Sequence, residues 1–142
     1  SLKKVLGTKG SIITYNQSFE ITRLKELAEA FPKYAKWVDS VIKRVVDLIV
    51  PFRQFHYYNP KQKGKCGLKE VLPAIVGKDY YKELDINNGG LASVSYFESV
   101  YGNLSAKEVK KIREDLLKYC KLDTEAMVWI VDKLIKITKQ LS

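Results

Sequence analysis

Apolar and polar positions alternate with helical spacing along most of this chain. Ile21, Leu24, Leu27 and Ala28 form one stripe, predicting a helix from Ser18, read as its N-cap, to about Ala30. Pro32 opens a second run in which Tyr34, Trp37, Val38, Val41, Ile42, Val45 and Leu48 recur on one face, predicting a helix to about Leu48. Further helices are expected at Leu68 to about Val76, closed by Gly77, and from about Leu91 to Tyr101, stopped by Gly102-Asn103. Leu2 to Leu6 reads as a last helical turn or two before Gly7. Ser105 and Glu108 make a capping-box pattern ahead of a run from Ala106 to about Leu122, with Val109, Ile112, Leu116 and Leu117 apolar. A last run from about Thr124 to Leu141 turns Ala126, Met127, Ile130, Val131, Leu134, Ile135 and Leu141 inward. Asp123 falls at the junction of these two runs, or inside one continuous helix.

Only Ile12-Ile13-Thr14-Tyr15 reads as a strand, being short, β-branched and bounded by turn residues. The expected fold is therefore mainly α, five to six helices around one short strand, the remnant of an α/β domain. A single strand cannot make a sheet, so its partners are expected outside residues 1–142, which read as one domain. An orphaned strand edge would also favour pairing between two copies, a dimer arising from truncation.

Composition adds little to this picture until charge is counted. At 142 residues, 46% hydrophobic and 29% charged, the chain suits one globular core. No apolar run approaches the ~20 residues of a membrane span, so no membrane association is expected. Cys66 and Cys120 lack CxxC spacing and His56 is the sole histidine, which argues against a structural zinc site. The cysteines read as reduced thiols of a cytoplasmic protein, and His56, among Phe52, Phe55, Tyr57 and Tyr58, reads as a packing residue. The net charge of +9 either favours a polyanionic partner or marks a solvated lysine surface. Lys61, Lys63 and Lys65 lie in a Gly-containing loop and Lys69 in the first turn of the helix that follows, a placement that suits phosphate contacts or a mobile solvated loop.

Tyr119 and Asp123 are four residues apart and share a face on any helix. A phenol above a carboxylate can help hold a metal ion and orient an attacking water. Such a pair needs further acids. The nearest candidate is Glu20 in Tyr15-Asn16-Gln17-Ser18-Phe19-Glu20, which equally suits an ordinary first-turn acid complementing the helix dipole. Asp47 reads as a cap or a carboxylate that tethers a loop.

Several segments together resemble the RNase-H-like, DEDD-type 3′–5′ exonuclease superfamily, and within it an uncharacterised bacterial nuclease-like family. They are Ile12 to Glu20 with Arg23-Leu24, Val46-Asp47-Leu48, Gly67 to Pro73, Asn88 to Ala92, and Leu117 to Met127. The resemblance implies Mg²⁺ or Mn²⁺ held by four acids, and cleavage of DNA or RNA. It makes Tyr119-x-x-x-Asp123 the tyrosine version of the third motif, with Asp123 a metal ligand and Tyr119 orienting water. It makes Glu20, where the family usually carries Asp, the second-motif ligand, with Asn16 and Asp47 in supporting roles. The first motif, Asp-x-Glu on the leading strand, has no counterpart here. This implies the C-terminal part of a larger RNase-H-like domain, inactive alone. The alternative is a catalytically silent module that binds nucleic acid or a protein partner.

Overall fold

The Ile12–Thr14 run does become a strand, and it finds its partner inside the chain. In the computed structural model, which describes residues 2–141 (for Leu141 only its place in a helix), β1 (Ile12–Thr14) pairs in parallel with β2 (Val45–Asp47). The register sets Ile12 opposite Val45, Ile13 opposite Val46 and Thr14 opposite Asp47. The helix expected up to Leu48 takes in Val45 and Val46, because Val41, Ile42, Val45 and Leu48 mimic helical spacing. Instead Pro32–Tyr34 forms a 3₁₀ turn and the helix covers only Ala35–Ile42. Lys43 N–H to Asp39 O and Arg44 N–H to Val41 O close it, after which the β-branched pair extends. Two β-branched segments in register outweigh the helical period, a case of tertiary pairing overriding local pattern.

The described residues thus form a mainly α structure: seven α-helices and one two-stranded sheet. The chain divides into two compact units, the first ending at Tyr58 and the second beginning at Asn59.

In the first unit the order is α1 (Leu2–Leu6), β1, α2 (Ser18–Ala30), α3 (Ala35–Ile42), β2 and α4 (Val50–Arg53). Its core is Val38, Val41, Leu48, Ile49 and Phe52, all buried. The Phe52 ring stacks on Tyr15 at 6.5 Å and meets Tyr57 edge-on at 5.8 Å. His56 is exposed rather than packed, because the chain reverses at Phe55, whose φ is 55°. Ser18 is the first helical residue of α2 and not its cap; its carbonyl accepts from the Thr22 hydroxyl at 2.7 Å. One guanidinium organises the N-terminal stretch: Arg44 donates to the carbonyls of Leu6, Gly7, Lys9 and Gly10 at 2.8–3.2 Å.

In the second unit, α5 (Leu68–Val76) and α6 (Gly89–Tyr101) pack on one long helix, α7 (Ala106–Leu141). The two runs expected to either side of Asp123 are thus a single helix of 36 residues. The Ser105–Glu108 capping box opens it, with Ser105 N–H to Glu108 Oε2 at 2.8 Å and Glu108 N–H to Ser105 Oγ at 3.4 Å. Leu122, Ala126 and Ile130 of α7 meet Val71, Leu72 and Ile75 of α5 in a buried core. Leu117 and Ile135, expected inward, are 70% and 46% exposed, because at 100° per residue both lie on the side of the helix away from buried Leu122, Ala126 and Ile130. The expectation for the Leu141 side chain falls outside the described residues. Cys66 and Cys120 are free thiols. No helix among the described residues is long and apolar enough to cross a membrane.

Candidate functional site

In the first unit, β1 and β2 run parallel, so their carboxyl ends lie side by side, the position where open α/β sheets usually bind ligands. Asp47 ends β2, and its carboxylate is used on the backbone. Oδ1 accepts from Asn16 N–H at 2.8 Å and Ile49 N–H at 3.2 Å, and Oδ2 from Gln17 N–H at 3.1 Å. This is the loop-tethering role. It holds the β1–α2 turn, in which Asn16 takes the left-handed φ of 63° that Asn tolerates well. The Asn16 Oδ1 accepts from Arg53 Nη2 at 3.1 Å. Asp47 and Asn16 therefore set where α2 begins and, through it, where Glu20 stands.

Glu20 is half-buried in the first turn of α2, and its Oε2 is buried without a hydrogen-bond partner. It lines a cavity of about 370 Å³ together with Ile12, Thr14, Phe19, Leu24 and Val45. Thr14 Oγ1, on the same cavity, also lacks a partner. Two orphaned oxygens in apolar surroundings leave room for a group that donates to them or for a cation.

In the second unit, Asp123 sits inside α7, half-buried, with Tyr119 one turn before it. The Tyr81 hydroxyl, from a 3₁₀ turn at Tyr80–Glu83, donates to Asp123 Oδ1 at 2.6 Å. No motif or apolar stripe of the sequence singles out Tyr81. The only signal for it was the Asp79 cap, whose Oδ1 accepts from Tyr81 N–H at 3.2 Å and fixes the turn. The Tyr81 and Tyr119 rings lie 6.3 Å apart, and the start of α6 comes near the Tyr119 hydroxyl, 4.0 Å from where a Gly89 side chain would begin. Burial, then the charge of Asp123 and hydrogen bonding to it, push the Tyr119 phenol up to about 12. Burial and the bond to Asp123 raise Tyr81 further still. Both phenols are protonated at neutral pH, and Tyr81 donates to the Asp123 carboxylate.

The four lysines divide. Lys61, Lys63 and Lys65 are exposed on a loop that is well anchored. Buried Gln62 holds it, accepting from Asn59 N–H at 2.9 Å and donating to Lys65 O at 3.1 Å, while Asn59 Nδ2 donates to Ala74 O at 3.1 Å. Lys69 is half-buried, donates to Asn87 O, and carries its ammonium 5.3 Å from the Tyr81 ring centroid.

Glu20, Asn16 and Asp47 thus belong to the first unit, and Tyr119 and Asp123 to the second. Among the described residues no group of three or more His, Cys, Asp or Glu side chains is placed to hold a metal ion. In the first unit Asp47 is occupied by the backbone, leaving Glu20. In the second, Asp123 already receives Tyr81. The residues present in either unit do not by themselves fit a Mg²⁺ or Mn²⁺ ion, which takes several oxygen ligands.

Residues 1–67 match a family described as "Domain of unknown function (DUF2779)". The chain is 31% identical over 153 residues to "Uncharacterized protein UU173" of Ureaplasma parvum serovar 3, covering 94% of this chain and 22% of that protein. It is 25% identical over 132 residues to "Uncharacterized protein MG366" of Mycoplasma genitalium, covering 85% of this chain and 20% of that one. No solved structure matches the chain significantly. The chain spans about a fifth of the length of these curated relatives.

Proposed function

We propose that the chain is part of a larger, metal-dependent 3′–5′ exonuclease or related nuclease of the RNase-H-like kind, acting on DNA or RNA, and that residues 1–142 do not cleave alone. The observation that carries this reading is the Tyr119–Asp123 face of α7, where the 2.6 Å bond from Tyr81 fixes the carboxylate. The Tyr81 phenol holds this half-buried acid in one orientation, with Tyr119 one turn before it, as a ligand set completed from elsewhere requires. Glu20, its Oε2 without a hydrogen-bond partner, is a separate acid that the first unit leaves open to a ligand, and the acids that would complete a site at Asp123 come from outside residues 1–142. Asp123→Ala, made in the protein that carries those acids, is expected to abolish cleavage and spare binding. Unchanged cleavage refutes the assignment.

A second reading is a catalytically silent module that binds nucleic acid. It is favoured by the lack of a three-acid group among the described residues and by the exposed Lys61, Lys63 and Lys65. Binding whose affinity falls steeply with salt, in a protein that cleaves under no metal condition, would select it. Absence of binding at low salt would leave a protein partner. Among the described residues β1 pairs with β2 alone, and a dimer formed through its other edge would make sedimentation concentration-dependent.

A further inference from the structure

Charge on α7 is unevenly compensated. Four of its lysines before Glu125 stand against acids: Lys110 with Glu114, Lys111 with Asp85 and Asp115, Lys118 with Asp115, and Lys121 with Glu125, at 2.7–4.0 Å, while Lys107 has no ion pair among the described residues. Beyond Trp129 the pattern stops. Lys133 and Lys136 are exposed and have no ion-pair partner among the described residues, although Asp132 stands beside them. Trp129, Lys133 and Lys136 recur at helical spacing, so they share one face. With Ile75 and Val76 of α5, they line a groove of about 320 Å³, at the small end of the range for ligand sites.

The groove has an aromatic wall. Trp129 is half-buried, and its ring lies 5.0 Å from that of Tyr80, tilted by 43°. Lys78 places its ammonium 4.7 Å from the Tyr80 centroid while pairing with Glu83 at 2.9 Å. A partly exposed indole beside uncompensated ammonium groups combines a flat surface for a base with cations for the adjoining phosphates, the combination used for unpaired strands. Duplex bases turn their faces to one another and offer no such surface to the indole.

We infer that the α5–α7 groove is a contact site for single-stranded nucleic acid, with a base against Trp129 and the flanking phosphates on Lys133 and Lys136. The inference rests on the nucleic-acid part of the proposed function, not on its metal chemistry. The test uses the chain with Trp37→Phe, so that Trp129 is the sole tryptophan. Its fluorescence is titrated with a thymidine oligonucleotide, a duplex of equal length and a mononucleotide across a salt series. The oligonucleotide is expected to quench Trp129 and to bind more tightly than either competitor. Lys133→Ala with Lys136→Ala should flatten the slope of log K against log salt by about 1.4, about 0.7 per lost phosphate contact. Trp129→Ala, followed by the anisotropy of a dye-labelled oligonucleotide because no tryptophan then remains, should weaken binding about 5- to 150-fold, the range for one stacked base. The surface lysine pair keeps the test decisive should Trp129→Ala not fold. Oligonucleotide binding that leaves Trp129 fluorescence and the lysine-pair slope unchanged overturns the groove while leaving the nucleic-acid reading intact. Preference for duplex or mononucleotide overturns it as well, and no binding at low salt overturns both. Asp123→Ala should quench as the parent does, so loss of cleavage and loss of the groove are separable.

Discussion

Replacing Tyr81 by Phe removes one hydroxyl and leaves the ring, which is 4% exposed and packed beside Tyr119. No cavity opens, so the cost is that of the 2.6 Å bond to Asp123. A hydrogen bond to a charged group contributes about 1.5–3 kcal/mol. Asp123 is only half-buried and water regains part of its carboxylate, which brings the expected loss to about 1–2 kcal/mol. The assay is urea unfolding followed by Trp129 fluorescence in a Trp37→Phe background, which reports on the second unit. With m near about 2 kcal/mol/M, the midpoint should fall by about 0.5–1 M at unchanged m. Combining the change with Asp123→Asn completes a double-mutant cycle, with an expected coupling of about 1 kcal/mol. A midpoint shift below about 0.15 M, or strictly additive single changes, would refute the claim that Tyr81 positions Asp123.

Asp47→Ala strips the acceptor from three backbone N–H groups and should cost the first unit about 2–4 kcal/mol, read by Trp37 fluorescence; Asp47→Asn, which keeps one acceptor oxygen, should cost less, and an equal loss would refute that ordering. The Tyr119 phenol is raised from 10.0 to about 12 on folding, so it contributes stability fully below about pH 10. That contribution is lost as pH rises through about 12, and Tyr119→Phe should flatten this part of the alkaline denaturation curve. Gln62→Ala orphans Asn59 N–H and Lys65 O and should lower the second unit's stability by about 2 kcal/mol, with faster amide exchange in the Lys61–Lys65 loop. Residues 1–142 with Mg²⁺ or Mn²⁺ should leave single- and double-stranded substrates uncut; specific cleavage lost on Asp123→Ala would show that the site is complete without further acids.

Helices that carry their own punctuation were legible in the sequence. Leu68–Val76 ends at Gly77, whose φ of 88° closes the helix, and Ser105–Glu108 marks the start of α7. The β2 strand was not legible, because Val45 and Val46 continue a helical stripe and only pairing with residues 33 positions earlier reveals their extension. The uneven exposure of α7 was hidden for a related reason: its apolar positions reach round more of the helix than its neighbours cover, and Leu117 and Ile135 fall on the open side. At the candidate site, Tyr119, Asp123 and the tethering role of Asp47 follow from spacing and placement. Tyr81 does not, since its partner lies 42 residues away. Glu20 was visible as a first-turn acid, whereas its unpartnered Oε2 is a property of packing.

The Arg44 guanidinium has a mechanical meaning. It gathers four carbonyls of the Leu6–Gly10 stretch, while its own carbonyl accepts from Ile12 N–H at 2.8 Å. Tension applied at the chain's first residues is therefore shared among several bonds that converge on the root of β2, and β1 is shielded from the load until they give way. A lysine there has three donors on one nitrogen and lacks the fork needed to span this arc. Arg44→Lys should turn a shared yield point into a sequential one, with the first helix peeling off at a low force in a pulling experiment before the strands part.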